Sequence, residues 1–277
     1  MTIKAIVLDM DGTLLNSNKE ISDLTRKALI EAQENGVRVI LASGRPTQGM
    51  THFAKELKMD EHHGLLVSYN GACVIDVSTN ETIYEKSLTV EEGQKILRHL
   101  SKFKVIPMVE KGDTMYVNDV FSGIINTSRG EINIIQYESR GGGYLLGEAK
   151  DLSSIVDHRL PKILVAAEKQ YYDEHIHEIF SPFEGHVNGM FSAEFYFEFT
   201  ALGVDKAQAL DTVLHMYDIE AEELIAFGDG ENDLSLINYA GIGVAMGNAV
   251  ESVLKAADDV TLSHDEDGIA VSLQKYL

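Results

Sequence analysis

"IVLDMDGTLLNS", Ile6 to Ser17, is an apolar run that ends in two aspartates one residue apart, with no basic residue inside it. "KAIVLD" reads as a strand whose unbroken apolar character suits a position buried on both faces. Working outward, "SDLTRKALIEAQENG" has helical periodicity and a glycine stop at Gly36, and "VRVILAS" is a second strand. "PTQGMTHFAKELK" is a helix with Pro46 tolerated in its first turn, and "LLVSYNG" is a third strand. Continuous β-branched runs alternating with helices predict an α/β fold, a doubly wound parallel sheet covered on both faces.

The texture changes between about Thr82 and Thr200. "TMYVND", "INIIQY", "KILVAA", "GHVNGMF" and "EFYFEFT" alternate more and hold more turn residues, which predicts a sheet with one solvated face. "SRGGGYLLGE" reads as a mobile turn, since its glycines lack the Gly-Lys-Ser/Thr ending of a phosphate-cradling loop. After Thr200 the first texture returns with the helix "VDKAQALDTVLHMY", the strand "ELIAFGD", the helix "ENDLSLINYAG" and the strand "IGVAM". The expected organisation is a core over 1–82 and 201–277, interrupted by an inserted α+β domain over 83–200.

With 277 residues, 44% of them hydrophobic, the chain can bury two cores. Twenty-three basic against 44 acidic side chains give a formal charge of −21, which argues against nucleic acid or an anionic membrane as partner. The single cysteine, Cys73, forms no internal disulfide and reads as core packing in a reducing compartment. The apolar run before Asp9 is too short for a secretory signal, and none reaches the roughly 18 residues of a membrane span, so the expected location is cytoplasmic.

In an open parallel sheet, ligands bind beyond the carboxyl ends of the strands, where residues distant in sequence converge. Asp9 ends the first strand, Ser43 the second, and Asp229 the strand before "GENDLSL"; Lys206 opens the helix preceding that strand. Asp9 and Asp11, two apart on leaving a strand, are expected on one side while Met10 turns away. A solvated Asp-Gly turn would explain Asp11 and Gly12 but not Asp9. An EF-hand would place Asp9, Asp11 and Glu20 at its first, third and twelfth positions, but Leu14 stands where that loop requires glycine.

Asp229 is followed by Glu231, Asn232 and Asp233 at a helix start. Gathering Asp9, Asp11, Asp229 and Asp233 in one crevice is costly without a cation, and oxygen ligands without histidine or thiolate favour Mg²⁺. Asp205 reads as a helix N-cap with Gln208 at the capping-box position, which puts Lys206 at the first helical residue, against the helix dipole. Its ammonium is expected to bridge the acids and an incoming phosphate. Ser43, with Gly44 allowing close backbone approach, is the candidate donor to phosphate oxygens.

"DMDGT", "LASGR", Lys206 and "GDGENDLSL", in this order, resemble the four motifs of the haloacid dehalogenase-like hydrolases, and most closely the Cof-type branch, whose cap lies between the second and third motifs. "YNGA" at Tyr69–Ala72, "AGIGVAMGNA" at Ala240–Ala249 and "DEDGIA" at Asp265–Ala270 are also similar to that branch. Ala207 departs from it, because glycine commonly follows the lysine there. The resemblance implies a phosphatase of small phosphorylated metabolites, sugar phosphates above all, with a cap that selects the leaving group. It implies Asp9 as nucleophile and Asp11 as proton donor and acceptor. Mg²⁺ would be held by Asp9, the main-chain carbonyl of Asp11 and Asp229. Ser43, Gly44 and Lys206 would bind phosphate, and Asn232 and Asp233 would orient these groups.

A phosphomutase shares these motifs. A receiver-like phospho-acceptor switch shares the acids, hydroxyl and lysine, but needs neither Asp11 beside the nucleophile nor an inserted module of this length. His175 and His177 point apart on a helix and form no metal pair, and His62 and His63 read as solvated. "GIGVAMG" lacks the strand-to-helix setting of a dinucleotide loop. The oligomeric state and the substrate itself are not encoded in any motif.

Overall fold

The computed structural model describes residues 2–128 and 130–277. The strands of the first stretch are β1 (Ala5–Leu8), β2 (Arg38–Ala42), β3 (Leu65–Ser68), β4 (Cys73–Asp76) and β5 (Glu81–Glu85), with helices α1 (Asp23–Glu34) and α2 (Gln48–Glu56). There follow α3 (Val90–Leu100), β6 (Ile106–Lys111), β7 (Thr114–Val117), β8 (Ile124–Thr127), β9 (Gly130–Asn133), α4 (Ile134–Gly142) and β10 (Leu145–Glu148). Next come β11 (Lys162–Ala166), α5 (Lys169–Phe180), β12 (Val187–Ala193) and β13 (Tyr196–Ala201). The chain ends with α6 (Lys206–Leu214), β14 (Leu224–Gly228), α7 (Leu234–Tyr239), β15 (Ile242–Ala245), α8 (Glu251–Ala256), β16 (Asp259–Val260) and α9 (Gly268–Tyr276).

Contacts divide the chain into two units, Met1–Glu85 with Asp205–Leu277, and Lys86–Val204. The first is built on an eight-stranded sheet in the order β16-β15-β14-β1-β2-β3-β4-β5, parallel from β16 to β3 and antiparallel at the β4–β5 edge. Alternate residues of its strands face opposite cores, as the pleat demands. Ile6, Leu8, Leu41 and Phe227 pack with Leu29 of α1, Phe53 of α2 and Leu273 of α9. Val7, Ile40, Val67 and Ala226 pack with Leu210 and Val213 of α6 and Leu236 of α7. This is the doubly wound α/β arrangement that the alternating runs predict. Because its central strands are parallel, their carboxyl ends lie on one edge, which places the residues after β1, β2 and β14 side by side.

The second unit holds a six-stranded sheet, β10-β7-β6-β11-β13-β12, in which only β7 and β10 pair in parallel, and a separate β8–β9 hairpin. One face carries α3 and α5 on Ile163, Val165, Phe197 and Phe199. The other is not simply solvated: Met108, Met115, Leu164 and Tyr196 are buried beneath Ile125 of β8 and Ile134 and Ile135 of α4. The expected junctions at 82/83 and 200/201 fall inside β5 and β13, whereas the contact division lies just outside both strands.

Two local expectations are corrected. "INIIQY" is a strand only as far as Asn133, whose side chain then accepts from the Gln136 N–H at 3.0 Å and caps α4. "SRGGG" is the end of that helix, and not a mobile turn. Gly143 takes the left-handed conformation, Tyr144 N donates to Ser139 O at 2.8 Å, and the paired bonds of a Schellman end close the last turn. Among the described residues no helix is long and apolar enough to cross a membrane.

Candidate active site

Asp9 directly follows β1, and its N–H donates to the Phe227 carbonyl of β14 at 3.1 Å. The sheet therefore sets its position, and it is buried. Lys206, the first residue of α6 and also buried, reaches it from the other side of the sheet edge. Lys206 Nζ donates to Asp9 Oδ1 and to Asp233 Oδ1, each at 2.7 Å. Asp205 caps that helix as the sequence predicts, its carboxylate accepting from Gln208 N at 3.0 Å.

Asp233 is oriented by its own loop. Its Oδ2 accepts from the N–H groups of Asp229 and Gly230, both at 3.0 Å, so the acid that holds Lys206 is itself held by backbone. Asp229, just past β14, accepts from Thr13 Oγ1 at 2.8 Å. A side chain at Gly12 would lie 2.3 Å from Asp229 Oδ2, so that glycine is what lets the first loop close over the second acid. Carboxylate oxygens of Asp9, Asp229 and Asp233 all lie within 4.8 Å of one another.

Three carboxylates around one lysine repel. Burial first, then the neighbouring Asp233 and Asp229 carboxylates, push Asp9 up to about 7 against the pull of Lys206. Asp229 is also raised, by burial and then by Asp233, with the Thr13 bond opposing. Burial would lower Lys206, but the two acids outweigh it and hold the ammonium charged. Asp9 Oδ2 and Asp229 Oδ2 accept no side-chain hydrogen bond among the described residues, while both oxygens of Asp233 are engaged. An all-oxygen donor set with surplus negative charge fits a hard divalent cation on Asp9 and Asp229, with Asp233 in support.

Asp11 lies elsewhere. It is exposed and outside the carboxylate cluster, so its expected share in a metal site is the main-chain carbonyl alone. Arg45 grips it bidentately, Nε to Oδ2 at 2.6 Å and Nη2 to Oδ1 at 2.8 Å, and Lys19 Nζ adds a bond to Oδ1 at 2.7 Å. The partial cover its side chain has tends to raise its carboxyl, but these bonds outweigh that and hold it at about 2. Ser43 follows β2, is buried, and accepts from Arg45 N at 3.2 Å through its hydroxyl, leaving the hydroxyl proton to donate. Gly44 comes next, and Asn232 stands exposed.

All of the expected residues thus lie beyond the carboxyl ends of β1, β2 and β14 or at the start of α6. Sequence reasoning missed Arg45, Lys19 and Thr13, although Arg45 and Thr13 lie inside the quoted motifs. A charged residue two positions after Ser43 was the available signal. Asn248 was missed as well: it donates to Gly12 O at 2.8 Å and accepts from His264 N at 3.0 Å, tying the first loop to the residue just before "DEDGIA".

A model of the haloacid dehalogenase-like hydrolase family matches residues 6–273. The chain is 32% identical over 277 residues to 5-amino-6-(5-phospho-D-ribitylamino)uracil phosphatase YcsE of Bacillus subtilis, covering 99% of this chain and 96% of that protein. The crystal structure of a haloacid dehalogenase-like hydrolase from Bacteroides thetaiotaomicron superposes with a TM-score of 0.91 at 36% identity, each chain covered in full. TM0651 from Thermotoga maritima superposes at 0.86 with 28% identity, over 99% of this chain and 97% of that one.

Proposed function

The chain belongs to the haloacid dehalogenase-like hydrolases, and on that premise we propose that it is a Mg²⁺-dependent phosphatase of small phosphorylated metabolites that works through an aspartyl-phosphate on Asp9. The observation that carries this reading is Lys206, bonded at 2.7 Å to both Asp9 and Asp233 at the end of β1. It holds one carboxylate oxygen of Asp9 and leaves the other free to attack.

Phosphate-monoester hydrolysis is so slow that acceleration can approach ~10²¹-fold, which favours division into two displacements. A carboxylate oxygen of Asp9 attacks phosphorus, the leaving oxygen departs with a proton, and water then cleaves the acyl phosphate. Bound Mg²⁺ would neutralise phosphate charge and favour ionised Asp9. Asp9, Asp229 and the Asp11 main-chain carbonyl would hold it. Ser43 Oγ, the Gly44 N–H and Lys206 Nζ would receive the phosphoryl oxygens, while Asn232 and Asp233 orient the loop and the lysine. Asp11 is assigned the proton transfers. While Arg45 and Lys19 hold it ionised it carries no proton to give and is only a weak base, so both transfers require its release from the two cations.

YcsE's name specifies a phosphorylated ribityl compound, which supports a phosphate ester on a polyhydroxyl carbon chain as substrate. The test is phosphate release over a panel of phosphosugars, phosphorylated polyols, nucleotides and phosphorylated cofactors, with Mg²⁺ and after chelation. Phosphate release that vanishes on chelation and returns with Mg²⁺ is expected. Full activity without metal overturns the metal assignment, and an isomerised ester in place of free phosphate overturns the hydrolase.

A further inference from the structure

Tyr69, Asn70 and Gly71 follow β3, and all three take positive φ: 52°, 57° and 99°. A non-glycine residue held there is strained, and such positions persist only where the surroundings over-determine them. Here the surroundings are the two phosphate-site loops. Tyr69 N donates to Arg45 O at 3.0 Å and Asn70 N to Ser43 O at 2.9 Å, so the turn is hung from the segment after β2. On its other side a Cβ at Gly71 would meet Asp205 O at 2.3 Å and Lys206 N at 2.9 Å, so the turn abuts the start of α6.

The strained turn is thus wedged between Ser43 and Lys206, with Tyr69 buried and Asn70 more accessible. The Asn70 carboxamide lies over Gly44: a Cβ there would come within 3.1 Å of Asn70 Nδ2. Its Oδ1 accepts a long bond from Asn232 Nδ2 at 3.4 Å, which turns the donor end away from the Asn232 amide. Among the described residues, no acceptor for Asn70 Nδ2 is found. A neutral donor at this point has a chemical use. Lys206 is already bonded to two acids, and a second cationic side chain would compete with it and with a bound metal for Asp9, whereas an amide can bind phosphoryl oxygen without disturbing that pairing.

We propose that Asn70 contacts the substrate directly, its Nδ2 donating to a non-bridging phosphoryl oxygen beside Ser43 Oγ and the Gly44 N–H. This rests on the phosphatase reading and adds to it a residue outside the four motifs. The decisive variant is Asn70→Gly, because glycine takes the left-handed conformation freely and only the carboxamide is lost. Asn70→Asp is the companion: it also tolerates that conformation but presents an acceptor to an anion.

The measurements are the melting temperature, the affinity for orthovanadate as a phosphate mimic, and kcat and KM on a small aryl phosphate. For Asn70→Gly the expectation is unchanged melting, vanadate affinity reduced at least about tenfold, and kcat lower by ~10²-fold, the scale of one lost donor to developing charge. Asn70→Asp should lose more of both. Wild-type vanadate affinity and kcat in Asn70→Gly would overturn the inference and leave Asn70 a turn residue. Should the glycine variant melt lower, the aspartate variant decides: native melting with intact vanadate affinity overturns the inference equally. Wild-type protein that neither binds vanadate nor releases phosphate overturns the phosphatase reading, a failure seen before any variant is made.

Discussion

Each unit of the molecule sets a lysine against carboxylates, and the two arrangements differ in where the lysine sits. In the second unit, Lys162 of β11 meets Glu198 of β13 at 3.1 Å, side chains 9% and 7% exposed, across an antiparallel pair on a sheet face. Burial would lower Lys162, but Glu198, Glu110 and Glu138 outweigh it and raise its pKa. Glu138 is raised in turn, chiefly by burial, and accepts from the Tyr196 hydroxyl. In the first unit, Lys206 lies at a sheet edge where strands end, and one of its two acids, Asp233, is held by backbone N–H groups. A pair across a sheet face ties two strands together. A pair at strand ends keeps one oxygen of Asp9 available. The chemistry of the groups is nearly the same, and topology decides whether an acid is left with something to do.

The comparison is broken or sharpened most strongly by removing the acids. Asp9→Asn should reduce phosphatase activity to background and show no phosphate adduct by intact mass after acid quench. Glu198→Gln should retain turnover of a small aryl phosphate within a few fold. Asp11→Asn should lose ~10²–10⁴-fold, the usual share of acid–base catalysis. With an activated aryl ester it should still accumulate the adduct, because attack survives while water lacks its base. An adduct in Asp9→Asn, or prompt turnover without Asp11, would reverse the two roles.

Removing the lysines comes next. Lys162→Met should destabilise by about 3–5 kcal/mol, since it leaves Glu198 unpaired, and Lys162→Met with Glu198→Leu should recover most of that stability. Lys206→Met with Asp233→Leu should be inactive and should not regain stability, because Asp9 stays buried without its cation and the Asp229 and Gly230 N–H groups lose their acceptor. Denaturant melts and aryl-phosphate turnover on the four proteins test this. A double variant at Lys162 that folds well but has lost metabolite turnover would show that the second lysine is functional too.

A smaller effect follows from pH. Asp9 sits at about 7 in the folded, metal-free protein against an ordinary 3.8, so between those values the folded state binds a proton that the unfolded state has lost. Stability of the metal-free protein should therefore fall as pH rises from about 4 to 7, with Asp229 contributing in the same direction. Mg²⁺ requires the ionised acids, so the stabilisation it gives should grow across the same range, toward about 2.7 kcal/mol at a hundred times its Kd. Thermal melts at pH 5 to 8 with and without Mg²⁺ check the sign. Asp229→Asn should abolish the Mg²⁺ response, and Lys162→Met should leave it intact.

The smallest effect belongs to the second unit alone. Gly143→Ala should cost about 1 kcal/mol by placing a side chain at the left-handed end of α4, without change in Mg²⁺ binding. A loss of Mg²⁺ affinity in that variant would mean the two units are energetically coupled.

Much of the candidate site was legible in the sequence. The runs "KAIVLD", "VRVILAS" and "ELIAFGD" mark buried parallel strands by local composition, and a polar residue at the end of such a strand has few places to be other than the ligand edge. That logic reaches Asp9, Ser43 and Asp229, and the capping pattern of "DKAQ" reaches Lys206. The inserted unit was less legible. Ile132 to Tyr137 carries strand-like residues, but an Asn133 cap and the burial of Ile134 and Ile135 make its second half helical. β-Propensity is a weak preference that packing against Met108 and Leu164 overrides.

What the sequence determined by itself is therefore the doubly wound core and the chemical types gathered at its edge, because strand burial and helix starts are written in residues next to one another. Only the tertiary structure decided how those types are paired. Lys206 binds Asp9 and Asp233, 197 and 27 positions away. Arg45 takes Asp11 from 34 positions off. The Asn70 amide settles against Gly44 from the end of the next strand. Each is a short-range electrostatic or steric contact between residues distant along the chain, and a contact that exists only after the sheet has brought its strand ends together leaves no mark in local composition.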